Sequence, residues 1–492
     1  VSVFALLQLE TSLQRYYYKW EGDDKKIFLF SILITVISLS FFFSIIICLL
    51  SYYISSLLFS SSAYYLLVIL TGFIWVSCGD FLEKDPESSY SESTSYKSQA
   101  DFEYAIAGVY AAQQDLFKDK GSWFWVMSER SDDIRYDSNM QYHKLGLFTD
   151  GDDESTVNTF WGVFWRIISR SNIILGKIDN VDFQDQEMKK YITGEAHALR
   201  GWAYYTLGWL FGGMPLIEDY TLSATEVLRI ARSTQEETFD FAEKDFLQAI
   251  EFLPDTWGSE YAGRVTKYAA MAGLARLYMF RAEYSNAKPL LQNVINSGIY
   301  GLAKKYEDCF TDKYDNDPKE DRVWEIQFTE GELGEGNSLQ DGILRGGDIL
   351  PYASNQEGSK VSKSMVEAYE PGDLRKDVSI ITGLSRGGVI DDEYYYCRKY
   401  AYYTYTPKKS SDWANNIPVI RYADVKLMYA ECLNEEQYVK NGEAFEFVNE
   451  IRNRAGLPAL NPSVVSNQVE FRNAIIRERR VEFAFEGLRW HD

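Results

Sequence analysis

Several side-chain groupings in this 492-residue sequence could do chemistry, and most of them sit in the wrong setting for it. Gly383-Leu384-Ser385-Arg386-Gly387 spells G-x-S-x-G, the turn that exposes a nucleophilic serine between a strand and a helix. Val378 to Ile381 could be that strand. Gly388-Val389-Ile390-Asp391-Asp392 has no helix start, however, and the one histidine downstream is His491. A serine without a base beside it is a poor nucleophile. The acidic run Asp312 to Asp317 invites a calcium reading but lacks the 1-3-5 carboxylate spacing and central glycine of an EF-hand. It reads as a solvated surface loop, as does Asp150 to Glu154. The 3 histidines are not paired at metal spacing, which argues against zinc. No phosphate-binding or dinucleotide-binding glycine pattern is present. With 72 carboxylates, a glycosidase pair cannot be argued from sequence. No catalytic residue, metal ligand or cofactor is therefore assigned.

Aromatic residues carry the remaining signal: 12 Trp, 36 Tyr and 29 Phe. Many fall on helix faces and read as core. Others lie in polar or glycine-rich stretches that read as loops: Trp123 and Trp125 after Gly121, Tyr136, Trp257, Tyr352, and the Tyr394 to Tyr405 cluster with Tyr402. Flat exposed rings stack on the apolar faces of sugar rings, while neighbouring Asn, Asp and Arg bond the hydroxyls. These six rings form the expected ligand-binding set.

Cys78 carries a different chemistry. It closes the run Leu66-Leu67-Val68-Ile69-Leu70-Thr71-Gly72-Phe73-Ile74-Trp75-Val76-Ser77 and is followed at once by Gly79-Asp80. An apolar run, a small residue and then cysteine is the pattern of a bacterial lipoprotein signal, in which the cysteine is acylated after cleavage. From Ile27 to Cys78 there is no charged residue, and two bilayer passes of roughly 20 residues would fit. The serine-rich stretch from Ser51 to Ala63 and the absence of basic flanks favour the lipid anchor. Residues 1–78 are thus expected to be a hydrophobic lead with a misplaced start. The formal charge of −22 falls on the remainder, which argues against nucleic acid and anionic lipid as partners. Cys309, Cys397 and Cys432 show no disulfide or metal spacing and read as buried small hydrophobes.

The elements that would position these residues are mostly helical. Ser98 to Leu116 and Trp161 to Ile178 read as amphipathic helices. Ala196, Leu199, Ala203, Leu207 and Leu210 form a third stripe, stopped by Gly212-Gly213 and Pro215. Thr234 three before Glu237 is a capping box opening a fourth helix that breaks at Pro254. Met271 to Val294 has the spacing of a tetratricopeptide pair, and Tyr422 to Asn434 with Glu443 to Arg454 forms another. Such pairs stack, because none buries its apolar face alone. Between them, about 300–420 reads as loops and short strands laid on the scaffold. The expected fold is mostly α, a tetratricopeptide-like helical-pair scaffold with a loop-rich ligand-binding part, forming one domain over 79–492.

Several ordered motifs resemble the SusD/RagB family of nutrient-binding outer-membrane lipoproteins. They are Cys78-Gly79-Asp80-Phe81-Leu82, Arg170-Ser171-Asn172, Glu195-Ala196-His197-Ala198-Leu199-Arg200, Phe211-Gly212-Gly213-Met214-Pro215 and Gly263-Arg264-Val265-Thr266-Lys267. Further on come Arg421-Tyr422-Ala423-Asp424, Arg452-Asn453-Arg454-Ala455-Gly456 and Arg477 to Gly487. The resemblance implies a lipid-anchored, non-catalytic protein on the outer membrane, facing the cell exterior, with acidic Asp80, Glu83 and Asp85 as the export signal. It implies capture of oligosaccharides, delivered to a SusC-type TonB-dependent transporter, or of peptides in the RagB branch. It implies that Arg200, Arg421 and Glu431 belong to buried pairs or helix contacts. The family continues past Asp492, so a carboxyl-terminal truncation is expected. A secreted hydrolase using Ser385 is the third reading.

Overall fold

A computed structural model describes residues 95–492, apart from 119–121, 136–142, 152–153, 341–359, 387–388, 392, 402–403, 405 and 491–492. Cys78 and the acidic residues after it lie outside the described residues, as do Tyr136, Tyr352, Tyr402 and His491. No described helix is long and apolar enough to cross a membrane.

The main helices are α1 (Gln99–Gln114), the short α2 (Ser122–Ser128), α3 (Ser155–Lys177), α4 (Gln186–Phe211) and α5 (Gln235–Phe252). They continue with α6 (Lys267–Phe280), α7 (Tyr284–Asn296), α8 (Tyr422–Glu436), α9 (Glu443–Arg454) and α10 (Gln468–Glu482). Each long helix packs on the next: α1 on α3, α3 on α4, α4 on α5, and so on to α9, with α10 against α8. The capping box read in sequence is present, and the structure adds another: Ser98 and Asp101 close one on α1. On α5, Glu237 N–H donates to Thr234 Oγ1 at 3.1 Å and Thr234 N–H donates to Glu237 Oε2 at 2.8 Å. Helix α4 stops at Gly212, whose φ of 83° lies in the left-handed region that a side chain disfavours. Helices α3 and α4 begin six and ten residues before the stripes that announced them, because their first turns are polar and capped by Glu154 and Asp185. Helix packing is close where small residues allow it. A Cβ on Gly201 of α4 would come within 3.2 Å of the Ala242 carbonyl of α5.

Strands are short. β1 (Arg322–Ile326) pairs antiparallel with β7 (Ile417–Arg421). β2 (Lys360–Val361) and β3 (Ile380–Ile381) flank β6 (Tyr395–Cys397), and β4 (Leu384–Arg386) forms a hairpin with β5 (Val389–Asp391). The loop-rich part therefore leaves the scaffold along β1 and returns along β7.

A buried ionic cluster joins the two parts. Arg421 Nη1 donates to Asp321 Oδ2 and Glu482 Oε1, both at 2.7 Å, and Arg454 Nη2 donates to the same Glu482 oxygen at 2.5 Å. Arg375, from the loop-rich part, donates to Glu482 Oε2 at 3.1 Å and Glu478 Oε1 at 2.6 Å. Lys399, also from that part, reaches Glu486 Oε1 at 2.6 Å. Burial alone would raise the Glu482 carboxyl, but Arg454, Arg421 and Arg375 outweigh it and hold its pKa far below the ordinary carboxylate range. The motifs around Arg421, Arg454 and Arg477 to Gly487 are thus the two sides of one charge lattice. Arg200 is likewise paired and buried, bonded to Asp245 at 2.8 and 2.7 Å. Cys309, Cys397 and Cys432 are free and buried. Burial raises the Cys309 thiol far above its usual range and pushes those of Cys397 and Cys432 up to about 12, so none is a thiolate near neutrality.

Candidate functional site

The expected rings do not form one cluster. Trp123 and Trp125 lie on α2, not in a loop, which corrects the sequence reading. Trp125 is 3% exposed and packs edge-on against Phe124, so no ligand reaches it in this conformation. Gly121 suggested a loop, but Trp-Phe-Trp-Val-Met buries too much apolar surface to stay in one. Trp123 is half-buried and stacks on Trp202 at 5.9 Å. Both line a groove of about 200 Å³ on the helical scaffold with Tyr205, Trp209 and Phe280. Trp257 is in a loop as expected and lines a separate cleft of about 440 Å³.

A third location lies where the described chain flanks the segments holding Tyr136 and Tyr352. Ile134 bridges Val361 of β2, and Arg135 N–H donates to the Lys360 carbonyl at 2.9 Å. Ser362 N–H donates to the Asp133 carbonyl at 2.8 Å. The described residues that flank one segment and the other are therefore fastened together. Above this seam the Arg135 guanidinium and the Lys360 ammonium lie 4.4 and 4.3 Å from the centroid of the half-buried Tyr394 ring. Below it, Arg480 Nε donates to Asp133 Oδ1 at 3.0 Å and Arg480 Nη2 to Ser364 Oγ at 2.7 Å. Arg489 grips Asp132 with two bonds, at 2.7 and 3.0 Å, and holds its carboxyl below the usual range.

Beside that pair stand two exposed rings. Phe148 and Trp490 are 57% and 40% exposed, with centroids 5.1 Å apart. Phe148 has a φ of 55°, which a bulky side chain rarely adopts. It ends a short helix, His143–Leu147, at the position where glycine is the usual choice. An aromatic there gains little from burial, so its presence needs another reason. The turn that carries Asp132 also holds Glu129, fully buried with neither carboxylate oxygen bonded, whose pKa burial pushes up to about 8. Asp133 is raised by burial to about 6 despite Arg480.

Sequence reasoning missed Arg135, Lys360, Asp132, Arg489, Phe148 and Trp490. Charges in a loop look like solvating charges, and residues more than 200 positions apart announce no contact. The acidic run around Asp312 lies at the surface, as read, and is also stitched to the chain: Asp312 accepts from Thr404 N–H at 2.9 Å and Thr404 Oγ1 at 2.6 Å, and Asp315 Oδ2 accepts from Asn416 N–H at 3.1 Å. Ser385 sits in the middle of β4, paired with Ile390 of β5, with a hairpin where a nucleophile turn needs a helix. Among the described residues, no three His, Cys, Asp or Glu are grouped to hold a metal.

The arrangement suits binding: aromatic faces, paired charges, and no nucleophile with a base among the described residues. Comparison with known proteins agrees. A family model described as starch-binding, associating with the outer membrane, matches residues 80–279. The model of the SusD family matches residues 333–492. A SusD-like protein P2 of Formosa agariphila is 27% identical over 453 residues, covering 85% of this chain and 87% of its own. A SusD-like carbohydrate-binding protein of Bacteroides fragilis superposes with a TM-score of 0.69 at 21% identity, over 81% of this chain and 86% of that one. A laminarin-binding SusD-like protein superposes with a TM-score of 0.68 at 23% identity, over 81% and 91%. The family is one of binding proteins associated with the outer membrane, not of enzymes. Two SusD-type family models match residues 80–279 and 333–492, and the fold agrees along four-fifths of the chain, so this chain is a member of the SusD family.

Proposed function

We propose that this protein captures oligosaccharides at the cell surface and hands them to a SusC-type TonB-dependent transporter, held to the outer membrane by a lipid on Cys78. The observation that carries the reading is the seam at Ile134 and Val361. It sets Tyr394 beside Arg135 and Lys360, and the Asp132–Arg489 pair next to it leads to Trp490 and its neighbour Phe148, at the margin of the two segments that hold Tyr136 and Tyr352. Sugar rings would stack on the aromatic faces, and Asp132, Arg489, Arg135 and Lys360 would bond hydroxyls. Family membership and the laminarin-binding and carbohydrate-binding relatives support this choice of ligand class. The transporter and the acyl chain rest on the family resemblance and on the sequence around Cys78.

Calorimetric titration with a panel of gluco-oligosaccharides and a peptide digest tests the reading, with product analysis alongside. Saturable sugar binding without turnover is expected. Binding of peptides alone would move the ligand class to that of the RagB branch. Labelled palmitate incorporated by the wild type and not by Cys78→Ser is the expected result for the anchor.

A further inference from the structure

The groove on the helical scaffold shares no residue with the seam, and it presents donors that solvent reaches. Arg276 of α6 and Arg472 of α10 stand half-buried in its wall. Arg276 Nε and Nη2 each lie 2.7 Å from Asp424 Oδ2, and Arg472 Nε and Nη2 bond Glu435 at 2.7 and 2.5 Å. Each guanidinium is thus held by two of its nitrogens. Its Nη1 bonds nothing among the described residues and is not sealed in the interior. Asp424 is the firmer anchor: it is fully buried and also takes Arg479 Nη1 at 2.6 Å. Burial alone would raise its carboxyl, but Arg276 and Arg479 outweigh that and hold it below the ordinary range. The Arg276 fork is therefore fixed before any ligand arrives, which lowers the cost of binding.

Beside that fork the groove is apolar. One turn along α6 from Arg276 stand Met279 and Phe280. Phe280 is 42% exposed and meets Trp209 edge-on at 6.4 Å, and Trp209 lies parallel to Tyr205 at 5.7 Å. A hydroxylated ring would find few partners here, because the Thr206 hydroxyl is spent on the Trp202 carbonyl at 2.8 Å. Glu431 also lines the groove, but two turns along α8 from Asp424, where it acts on Arg472 and Tyr284. The volume of about 200 Å³ exceeds the roughly 150 Å³ in which an apolar protein cavity holds benzene, so one ring with a short acid tail fits.

We propose that this groove binds an apolar carboxylate, its aromatic or hydrocarbon body against Met279, Phe280 and Trp209 and its acid accepting from Arg276 Nη1. A guanidinium–carboxylate bond is among the stronger hydrogen bonds, and the apolar walls exclude the water that would compete with it. A free aryl acid and the carboxyl end of a peptide closing on an aromatic residue share this chemistry. The site stands whether or not the seam binds oligosaccharides.

The test is fluorine NMR of the full chain labelled with 5-fluorotryptophan, with signals assigned from Trp209→Phe and Trp490→Phe. The probes are 3-phenylpropionate, 3-phenylpropionamide, glucuronate, and glycyl-glycyl-phenylalanine with a free or an amidated carboxyl end. Saturable movement of the Trp209 signal by 3-phenylpropionate, with that of Trp490 still, is the expected result. The amide should bind about tenfold more weakly, as should the acid to Arg276→Gln. That variant leaves Asp424 to Arg479, so Phe280→Ala, at an exposed position, gives a second reading: about fivefold weaker binding with the helical circular dichroism unchanged. Binding of the free tripeptide and not of its amide names a peptide end as the source, and binding of 3-phenylpropionate alone names a small acid. Equal movement by acid and amide overturns the role of the carboxylate. Glucuronate binding as tightly as 3-phenylpropionate overturns the apolar body. A silent Trp209, or movement that never saturates, overturns the site.

Discussion

Glu482 and Glu129 are both buried carboxyls, yet their surroundings drive them in opposite directions. Glu482 meets three guanidinium groups and stays ionised far into acid; Glu129 meets none and is pushed up to about 8. The first sits where the loop-rich part is fastened to the helices, and the second under the turn that leads to the seam. Burial alone expels charge, and only pairing makes a buried charge tolerable. The molecule holds its two parts together with paired charge and leaves an unbonded carboxyl, which burial keeps mostly neutral at pH 7, in the turn that leads to the seam.

The comparison can be broken most severely at Arg421. Arg421→Ala would strand Glu482, Asp321 and Glu486 with fewer partners, and should cost about 3–5 kcal/mol in urea unfolding. Trp125→Ala should cost about as much through the cavity it leaves, with oligosaccharide affinity intact. Intact stability in that variant would return Trp125 to the surface.

Glu129 sharpens the contrast through pH. Its folded pKa lies above the unfolded value, so its contribution is complete below about 4.5 and is lost as pH rises through about 8. Glu129→Gln should be near neutral at pH 5 and stabilising by about 2–4 kcal/mol at pH 8.5, since a tenfold change in proton affinity corresponds to about 1.4 kcal/mol. Glu482 has the opposite sign: its contribution is complete above the unfolded carboxyl range and is lost as pH falls below it. Glu482→Gln should therefore flatten the acid limb of a stability–pH curve, while Glu129→Gln flattens the alkaline limb. Identical pH profiles for the two variants would defeat the comparison.

Smaller effects test the seam. Tyr394→Ala and Trp490→Ala should each lower oligosaccharide affinity about tenfold by calorimetry, with the helical circular dichroism unchanged. Thr234→Ala, which removes the cap of α5, should cost about 1 kcal/mol at any pH.

The scaffold was legible because helices announce themselves locally. Thr234 and Glu237 are three residues apart, and Gly212 follows its helix directly. The motif around Arg421 was legible as a pattern but not as a lattice, because Asp321 is 100 positions away. The candidate site was least legible. Trp125 and Trp123 share a type and a neighbourhood, and only the register of α2 separates a core ring from one at a groove. Phe148 and Trp490 meet across more than 300 residues and carry no shared sequence signal. Pairing of that kind is set by tertiary contact, which a single sequence does not display.

The antiparallel pairing of β1 with β7 has a consequence for how this protein can change. Residues 327–416 depart and re-enter at neighbouring points, and between them buried side chains such as Met365, Tyr369 and Trp413 join the common core. Three charged contacts also hold the stretch: Glu370 to Arg452, Arg375 to Glu478 and Glu482, and Lys399 to Glu486. A stretch that keeps its two strand ends, these three side chains and its buried core residues is an exchangeable cartridge. Its interior can drift, lengthen or be transplanted between relatives, and ligand preference can diversify without the helices being redesigned.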